Sequence, residues 1–312
     1  KEQLNVTFSQ TDYLDETIAK EISRDLKHEW LFYALDNGIY LKNIREIIEI
    51  NFGDCLYSGA AHENGCLSKI NFDKYGIYHT GQIGDVILGT FYSSENPQAS
   101  YKPGDGAYST RLVQKDEKKY LKYKYNNEEV FKFYNRAFTG ALQGNLVDQK
   151  YTEVTSPFLD MEFFEYCLKI PLKYRYDHRI YKKWILRKYP DAAKYKWEKI
   201  KGKITERTYS IFGRTTTLKP LPRKAFNKLF HTSPLNTKHH MNPFDYWYNT
   251  NDDLREFFLD TFNKGIDLLE NEKLRSDCQK LFTEGSTIEK TQVLTLLEAW
   301  RFYFLDESRD EE

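Results

Sequence analysis

Thr80-Gly81-Gln82-Ile83-Gly84-Asp85-Val86-Ile87-Leu88-Gly89 follows a short apolar run, Tyr75 to His79, that reads as a buried strand. A strand feeding a glycine-rich turn with one carboxylate presents backbone N–H groups and a metal-ligating Asp to a nucleotide. A tight turn after a core strand gives the same string, and the glycines alone do not separate the two readings. Toward the N-terminus, Leu4 to Phe8 reads as a strand. Thr11 or Asp12 can cap a helix whose Ile18, Ala19, Ile22 and Leu26 share one face. Glu29 to Leu35 reads as the next strand, and strand–helix–strand order points to a parallel sheet. Asp36-Asn37-Gly38 breaks the chain, and Leu41 to Ile50 reads as a helix with Ile44, Ile47 and Ile48 on one side.

Toward the C-terminus, residues 94–120 are polar and broken by Pro97, Pro103, Gly104 and Gly106. Within them Gly104-Asp105-Gly106-Ala107 has no strand before it and reads as a plain turn. Helical patterns follow at Glu128 to Leu142, Met161 to Lys169 and Ile180 to Lys188. Residues 205–250 read as irregular and basic, and helices resume at Asp252 to Asn271 and Thr287 to Phe304. The acidic tail from Asp306 reads as frayed. The expected organisation is an α/β half at residues 1–95, a polar loop or insertion at 96–126, and a helical half at 127–312.

Lys+Arg and Asp+Glu are both 46, so bulk electrostatics give no attraction to nucleic acid. The 24 Tyr and 21 Phe are spread along the chain and read as packing groups. No run approaches the roughly 18 apolar residues of a membrane span, and no signal peptide is visible. Cys55, Cys66, Cys167 and Cys278 form no C-x-x-C pair, which points to a reducing, cytoplasmic setting. His239-His240 lies far from any Cys, so the sequence offers no zinc site.

The order of the Thr80–Gly89 turn, Ser156-Pro157-Phe158-Leu159-Asp160, Ile170-Pro171 and Lys183-Trp184-Ile185-Leu186-Arg187 resembles the synthetase domain of the asparagine synthetase family. Its β-lactam synthetase relatives share that order, and the resemblance runs from about Val6 to Lys203. It implies an α/β fold with a parallel sheet of the ATP-pyrophosphatase (adenine nucleotide α-hydrolase-like) type, followed by a mainly helical C-terminal half. It implies an ATP- and Mg²⁺-dependent ligase. Such an enzyme adenylates a small carboxylate, releases pyrophosphate and lets an amine or ammonia attack. A glutaminase domain or partner would supply the ammonia.

Residue by residue, the resemblance makes Asp85 a Mg²⁺ ligand, although an Asp capping the next helix fits the bare sequence equally. Thr80, Gly81, Gln82 and Gly84 lie in the turn where the family's backbone meets the nucleotide, and Phe8 lies where a residue packs near adenine. Gln82 replaces a Tyr or Asp of relatives and cannot act as a base. Glu128 and Glu129 stand where a glutamate assists amine attack, and they equally suit a helix's first turn. Arg136 is a further anion-binding candidate. Lys199, in Trp197-Glu198-Lys199-Ile200-Lys201-Gly202-Lys203, best matches the lysine that a mobile loop delivers; Lys201 and Lys203 are its rivals. Pro157 to Asp160 reads as architectural: Phe158 and Leu159 pack and Asp160 caps.

The family's S-G-G-x-D-S phosphate loop occurs nowhere; Ser58-Gly59-Ala60-Ala61 is the nearest string and lies in the wrong place. In the family that loop follows a first strand ahead of the one matching Leu4 to Phe8, and the glutaminase domain is not seen either. The sequence therefore reads as a fragment or processed product of such a ligase, inactive alone. The competing readings are a non-catalytic remnant serving as an interaction or weak nucleotide-binding module, and an unrelated α/β enzyme.

Overall fold

The computed structural model describes residues 3–112, 123–207, 209–211, 214–216 and 238–305. It is a mixed α/β structure, mainly helical, with small parallel sheets. Strand β1 (Leu4–Ser9) pairs in parallel with β2 (Glu29–Ala34), with Leu4 opposite Glu29 and Ser9 opposite Ala34. Helix α1 (Leu14–Leu26) makes the crossover. Its expected caps do not cap it. Tyr13 holds the N-cap position with no side-chain bond; Thr11 is tied to Asp36, and the Asp12 N–H donates to Glu16 Oε2 at 2.6 Å. Leu26 is 55% exposed and not on a buried face, because a two-stranded sheet gives the helix a narrow surface that leaves even Ile18 and Ile22 half-buried.

Next come α2 (Ile44–Asn51), α3 (Tyr57–Leu67), the one-turn α4 (Phe72–Tyr75) and β3 (Ile77–His79). Ile44, Ile47 and Ile48 are buried as their spacing predicts. Strand β3 starts later than expected, because the Asn71 side chain caps a helical turn that ends at Tyr75. The expected helix from Glu128 is broken into α5 (Glu128–Lys132), a π-helical turn (Phe133–Phe138) and a 3-10 turn (Ala141–Gly144) before α6 (Asn145–Gln149). The wider turn lets Phe133 meet Phe91 and Phe164 edge-on at ring distances of 5.3 and 5.1 Å. Strand β4 (Glu153–Thr155), not foreseen, pairs in parallel with β3.

Helix α7 (Met161–Lys169) has the expected bounds, and Asp160 caps it by accepting from Phe163 N–H at 2.8 Å. After α8 (Leu172–Arg175) and α9 (Arg179–Lys188), a hairpin joins β5 (Lys196–Trp197) to β6 (Gly202–Lys203). A second hairpin joins β7 (Tyr209–Ile211) to β8 (Arg214–Thr216). The remaining expected irregular stretch at 217–237, and the tail from Asp306, lie outside the described residues. The C-terminal helices are α10 (Phe244–Thr250), α11 (Asp252–Ile266), α12 (Glu272–Glu284) and α13 (Thr287–Trp300). The last starts in a capping box of Ser286 and Glu289. The larger core packs α2 and α3 against α10 to α13, with Tyr57, Trp247, Phe258 and Leu294 fully enclosed. A smaller core under the Thr80–Gly89 turn contains Ile83, Val86, Ile87, Phe133 and Cys167. No helix among the described residues is long and apolar enough to cross a membrane, and the four cysteines are free thiols.

Candidate functional site

The turn of interest leaves the C-terminal end of β3, a parallel strand, which is where open α/β sheets bind ligands. Thr80 N–H donates to Thr155 O at 2.9 Å, and Ser156 Oγ donates to Gln82 O at 3.1 Å. These bonds fasten the turn to β4 and the segment after it. The left-handed residue inside it is Ile83, at φ 59°, a conformation that a β-branched side chain adopts only under constraint. Burial of Ile83 and Ile87 in the smaller core supplies that constraint. Gly84 is fixed by packing: a Cβ there would lie 2.7 Å from the Phe158 ring. The "Pro-Phe-Leu-Asp" segment thus closes over the turn from below.

Asp85 is exposed, and its carboxylate accepts a hydrogen bond from Thr90 Oγ1 at 3.1 Å. It opens onto a pocket of about 470 Å³ shared with Lys132 and Arg136. Lys132 is occupied by Phe91 O (2.6 Å) and Glu128 (3.0 Å), and Arg136 donates to Gly106 O at 3.0 Å. That carbonyl belongs to the Gly104–Ala107 stretch, which is the plain turn expected of it.

Glu128 and Glu129 are both buried and both engaged. Glu128 accepts from Ser93 N–H (2.6 Å), Ser93 Oγ (2.9 Å) and Lys132. Burial pushes its carboxyl up, but the Ser93 amide and Lys132 outweigh it and hold the carboxyl below its ordinary value. Glu129 forms a bidentate pair with Arg175 at 2.6 and 3.1 Å. There burial wins, and the Glu129 carboxyl lies above its ordinary value despite the guanidinium. Arg175 also donates to Ile87 O and Ile170 O, so this pair braces the Asp85 turn from behind.

Lys199 occupies a tight hairpin turn between β5 and β6, not a long loop. Its ammonium lies 5.7 Å from the centre of the Trp197 ring. The same ring meets His178 edge-on at 5.1 Å, and Lys182 lies 5.6 Å from it. His178 is buried, and its pKa is lowered first by desolvation and then by Lys199, with Asp177 and Asp85 opposing. Lys199 and His178 therefore share one indole ring. Sequence reasoning missed His178 and its neighbour Asp177, which pairs with Lys182 at 3.0 Å. Both are left-handed, at φ 56° and 54°, and no glycine marks the kink. Lys201 points elsewhere, lining a small pocket with Gln10, Tyr13 and His239.

Phe8, Thr80, Gly81 and Gln82 meet on a separate cleft of about 1020 Å³ between β1 and β3. Thr80 Oγ1 and Gln82 Oε1 are buried there without a hydrogen-bond partner among the described residues, so the cleft has polar groups suited to a ligand. Phe8 stacks obliquely on His62 at 4.3 Å. No cluster of three or more His, Cys, Asp or Glu suited to a metal exists among the described residues. A Mg²⁺ ion at Asp85 would thus depend on ligand phosphates for most of its oxygens, a habit of that ion.

Neither the curated proteins nor the solved structures give a match to this chain. One family does: the asparagine synthase family model matches residues 141–192, from the turn before α6 through α9. That segment holds the Phe158 and Asp160 closure beneath the Asp85 turn, together with Arg175, Asp177 and His178. On that match, residues 141–192 carry the signature of the asparagine synthase domain, and the resemblance to the synthetase domain of the asparagine synthetase family holds.

Proposed function

We propose that the chain carries the synthetase portion of an ATP-dependent amide-forming ligase of the asparagine synthase type, built on an ATP-pyrophosphatase-like sheet. The reaction joins a small carboxylate to ammonia or an amine at the expense of ATP, with a glutaminase domain or partner as ammonia source. The observation that carries this reading is the glycine turn bearing Asp85 at the C-terminal end of parallel strand β3, fastened through Thr155 and Ser156 to the matched segment. Backbone and side chains of Thr80 to Gln82, with Phe8 opposite, would hold the nucleotide in the cleft. Asp85 would hold Mg²⁺ against its phosphates, and the ion would neutralise phosphate charge. Lys199, on the hairpin beside Trp197, would supply an ammonium to stabilise charge that grows during phosphoryl activation. Glu128 and Glu129 serve by bracing: their oxygens are committed to Ser93, Lys132 and Arg175.

The chain has no S-G-G-x-D-S sequence, and we infer that these residues alone bind nucleotide without releasing pyrophosphate. The second reading, a non-catalytic remnant, is favoured by the same sequence fact and by the commitment of both glutamates. Calorimetric titration with ATP separates them. In the ligase reading, ATP binds in a Mg²⁺-dependent way, and Asp85→Asn weakens it about tenfold, near 1.4 kcal/mol. Adenosine binding is unchanged by that variant, and no pyrophosphate appears when aspartate is added. Absence of ATP binding at millimolar concentration would leave only the remnant.

A further inference from the structure

Helix α9 is held to the protein in an inverted way. An ordinary surface helix buries an apolar stripe and turns its charges to water. Here Arg179 reaches back to Glu95, and Lys182 to Asp177 and the Trp197 ring, so charged side chains fasten the helix. No residue of α9 is fully buried, and Ile180 and Ile185 are half covered. The aromatic side chains face solvent: Tyr181 is 41% exposed, Trp184 48%, and Tyr189, one residue past the helix, 55%. Trp184 stacks on Tyr181 at 5.9 Å and meets Tyr189 edge-on at 4.9 Å, which makes one ring cluster. Scattered exposed apolar groups are ordinary, whereas a contiguous cluster marks an interaction site.

The charge around this cluster has one sign. Helix α9 carries Arg179, Lys182, Lys183, Arg187 and Lys188 and contains no Asp or Glu. Lys183, Arg187 and Lys188 are exposed, and among the described residues no carboxylate pairs with them. Lys188 stands four residues from Trp184 and so shares the face of the cluster. The chain as a whole has zero net charge, so any attraction is local to this surface. The fitting partner is anionic and accepts amphipathic rings. A nucleic-acid base stacks on a free aromatic face, but Trp184 and Tyr181 turn faces to each other and Tyr189 crowds the indole. A bilayer interface instead takes ring edges and the polar tips of Trp and Tyr. A basic helix with such a face lies in the plane of the headgroups.

We propose that α9 and Tyr189 form a docking surface for an anionic lipid bilayer, on which the protein lies without crossing it. Tyr181, Trp184 and Tyr189 enter the headgroup layer, and Lys183, Arg187 and Lys188 meet the lipid phosphates and carboxylates. A helix of 10 residues buries little apolar area, so binding depends on lipid charge and fades as salt rises. The surface lines neither the nucleotide cleft nor the Asp85 pocket, so the proposal is independent of the ligase reading.

The probe is vesicles of phosphatidylserine and phosphatidylcholine in equal amounts, with pure phosphatidylcholine vesicles beside them, read by co-sedimentation of the full chain. Saturable binding to the anionic vesicles is expected, about tenfold weaker or more on the neutral ones and in high salt. Each surface cation is worth about a fivefold factor, so Lys183→Gln, Arg187→Gln and Lys188→Gln together should weaken binding about a hundredfold. Tyr181→Ala with Trp184→Ala should weaken it about tenfold, through loss of the inserted rings. Removing the same charge elsewhere, by Lys264→Gln, Lys273→Gln and Lys280→Gln on α11 and α12, should leave binding as in the parent. All these side chains are exposed, and unchanged circular dichroism spectra and urea midpoints show that the variants are folded. Failure of the parent to bind anionic vesicles, equal binding to neutral ones, or an equal loss in the α11–α12 variant overturns the proposal. So does tighter binding of a fluorescein-labelled oligouridylate that Trp184→Ala weakens, which would make single-stranded nucleic acid the occupant. None of these results alters the outcome of the ATP titration.

Discussion

Gly84→Ala separates a glycine kept for a ligand from a glycine kept for packing. An added Cβ would lie 2.7 Å from Phe158 Cε2 and 2.9 Å from Cδ2 and Cζ. Ordinary carbon contacts begin near 3.5 Å, so the ring must move by most of an ångström. It has little room. Phe158 sits on a 3-10 turn capped by Ser156, followed directly by the Asp160 cap, and its ring packs in the smaller core. Overpacking of this kind costs about 1–3 kcal/mol. Against it stands the entropic gain of replacing glycine, about 0.4–1 kcal/mol, which applies because residue 84 has no positive φ. The net expectation is a loss of about 1–2 kcal/mol, read as a lower urea midpoint with an unchanged m-value. Gly81→Ala is the control: nothing lies within 4 Å of its Cβ position, so it should be neutral or slightly stabilising. Phe158→Leu should recover most of the loss in the double variant, which should also bind ATP as the parent does. Equal stability of the Gly84→Ala and Gly81→Ala chains would refute the packing argument. Restored stability with ATP binding still lost would return Gly84 to the ligand.

Three further outcomes follow from the braced turn and the buried acids. Arg175→Met should cost about 3–5 kcal/mol in urea unfolding, because it leaves Glu129 buried and uncompensated; adding Glu129→Leu should return a large part, and a loss under about 1 kcal/mol would show that the brace is not needed. Burial pushes Asp148 up to about 7, so the folded chain keeps a proton that the unfolded chain releases in the ordinary carboxylate range. That contribution to stability is present at low pH and is lost as pH rises through about 7. Calorimetric melting temperatures at pH 5 and pH 8 should therefore differ less in Asp148→Asn than in the parent, and an identical difference would contradict the assignment. Lys199→Ala should raise the His178 pKa seen by NMR titration and Asp85→Asn should lower it, whereas Lys201→Ala should leave it alone; a response to Lys201 in place of Lys199 would shift the hairpin's register in the site.

Elements with a strong local period were legible. The β1–α1–β2 unit, the Ile44–Ile47–Ile48 stripe of α2 and the bounds of α7 follow from residues within one or two turns of each other. Helix α3 was not legible, and the reason is its burial. Tyr57, Ala60, Ala61, Asn64, Cys66 and Leu67 are enclosed on several sides, so no apolar stripe stands out against a polar one. Helix α12 was missed although Asn271 caps it. Strand β4 was missed because it has three residues, fewer than an alternating pattern needs to declare itself. The break after Lys132 is imposed from outside: Phe133 turns toward rings from the Phe91 and Phe164 segments, and no residue of the helix itself announces it.

The site divides along the same line. The Asp85 turn and the lysine hairpin carry their chemistry in short strings, so their residue types could be read before their positions were known. What each carboxylate can do depends on partners far along the chain. Glu129 meets Arg175 across 46 residues, and Glu128 meets Ser93 across 35. Sequence shows two acids in a helix's first turn; only folding commits their lone pairs and leaves Asp85, among the described residues, with one hydroxyl. His178 is the reverse case. Tyr176-Asp177-His178 contains no glycine, yet two successive left-handed residues turn the imidazole inward against Trp197. Lys182, one helical turn on, holds Asp177 and so helps fix that kink. A backbone outlier maintained by an ion pair and a ring contact leaves no local signature, and it is this outlier that sets His178 against the Trp197 ring that Lys199 also approaches.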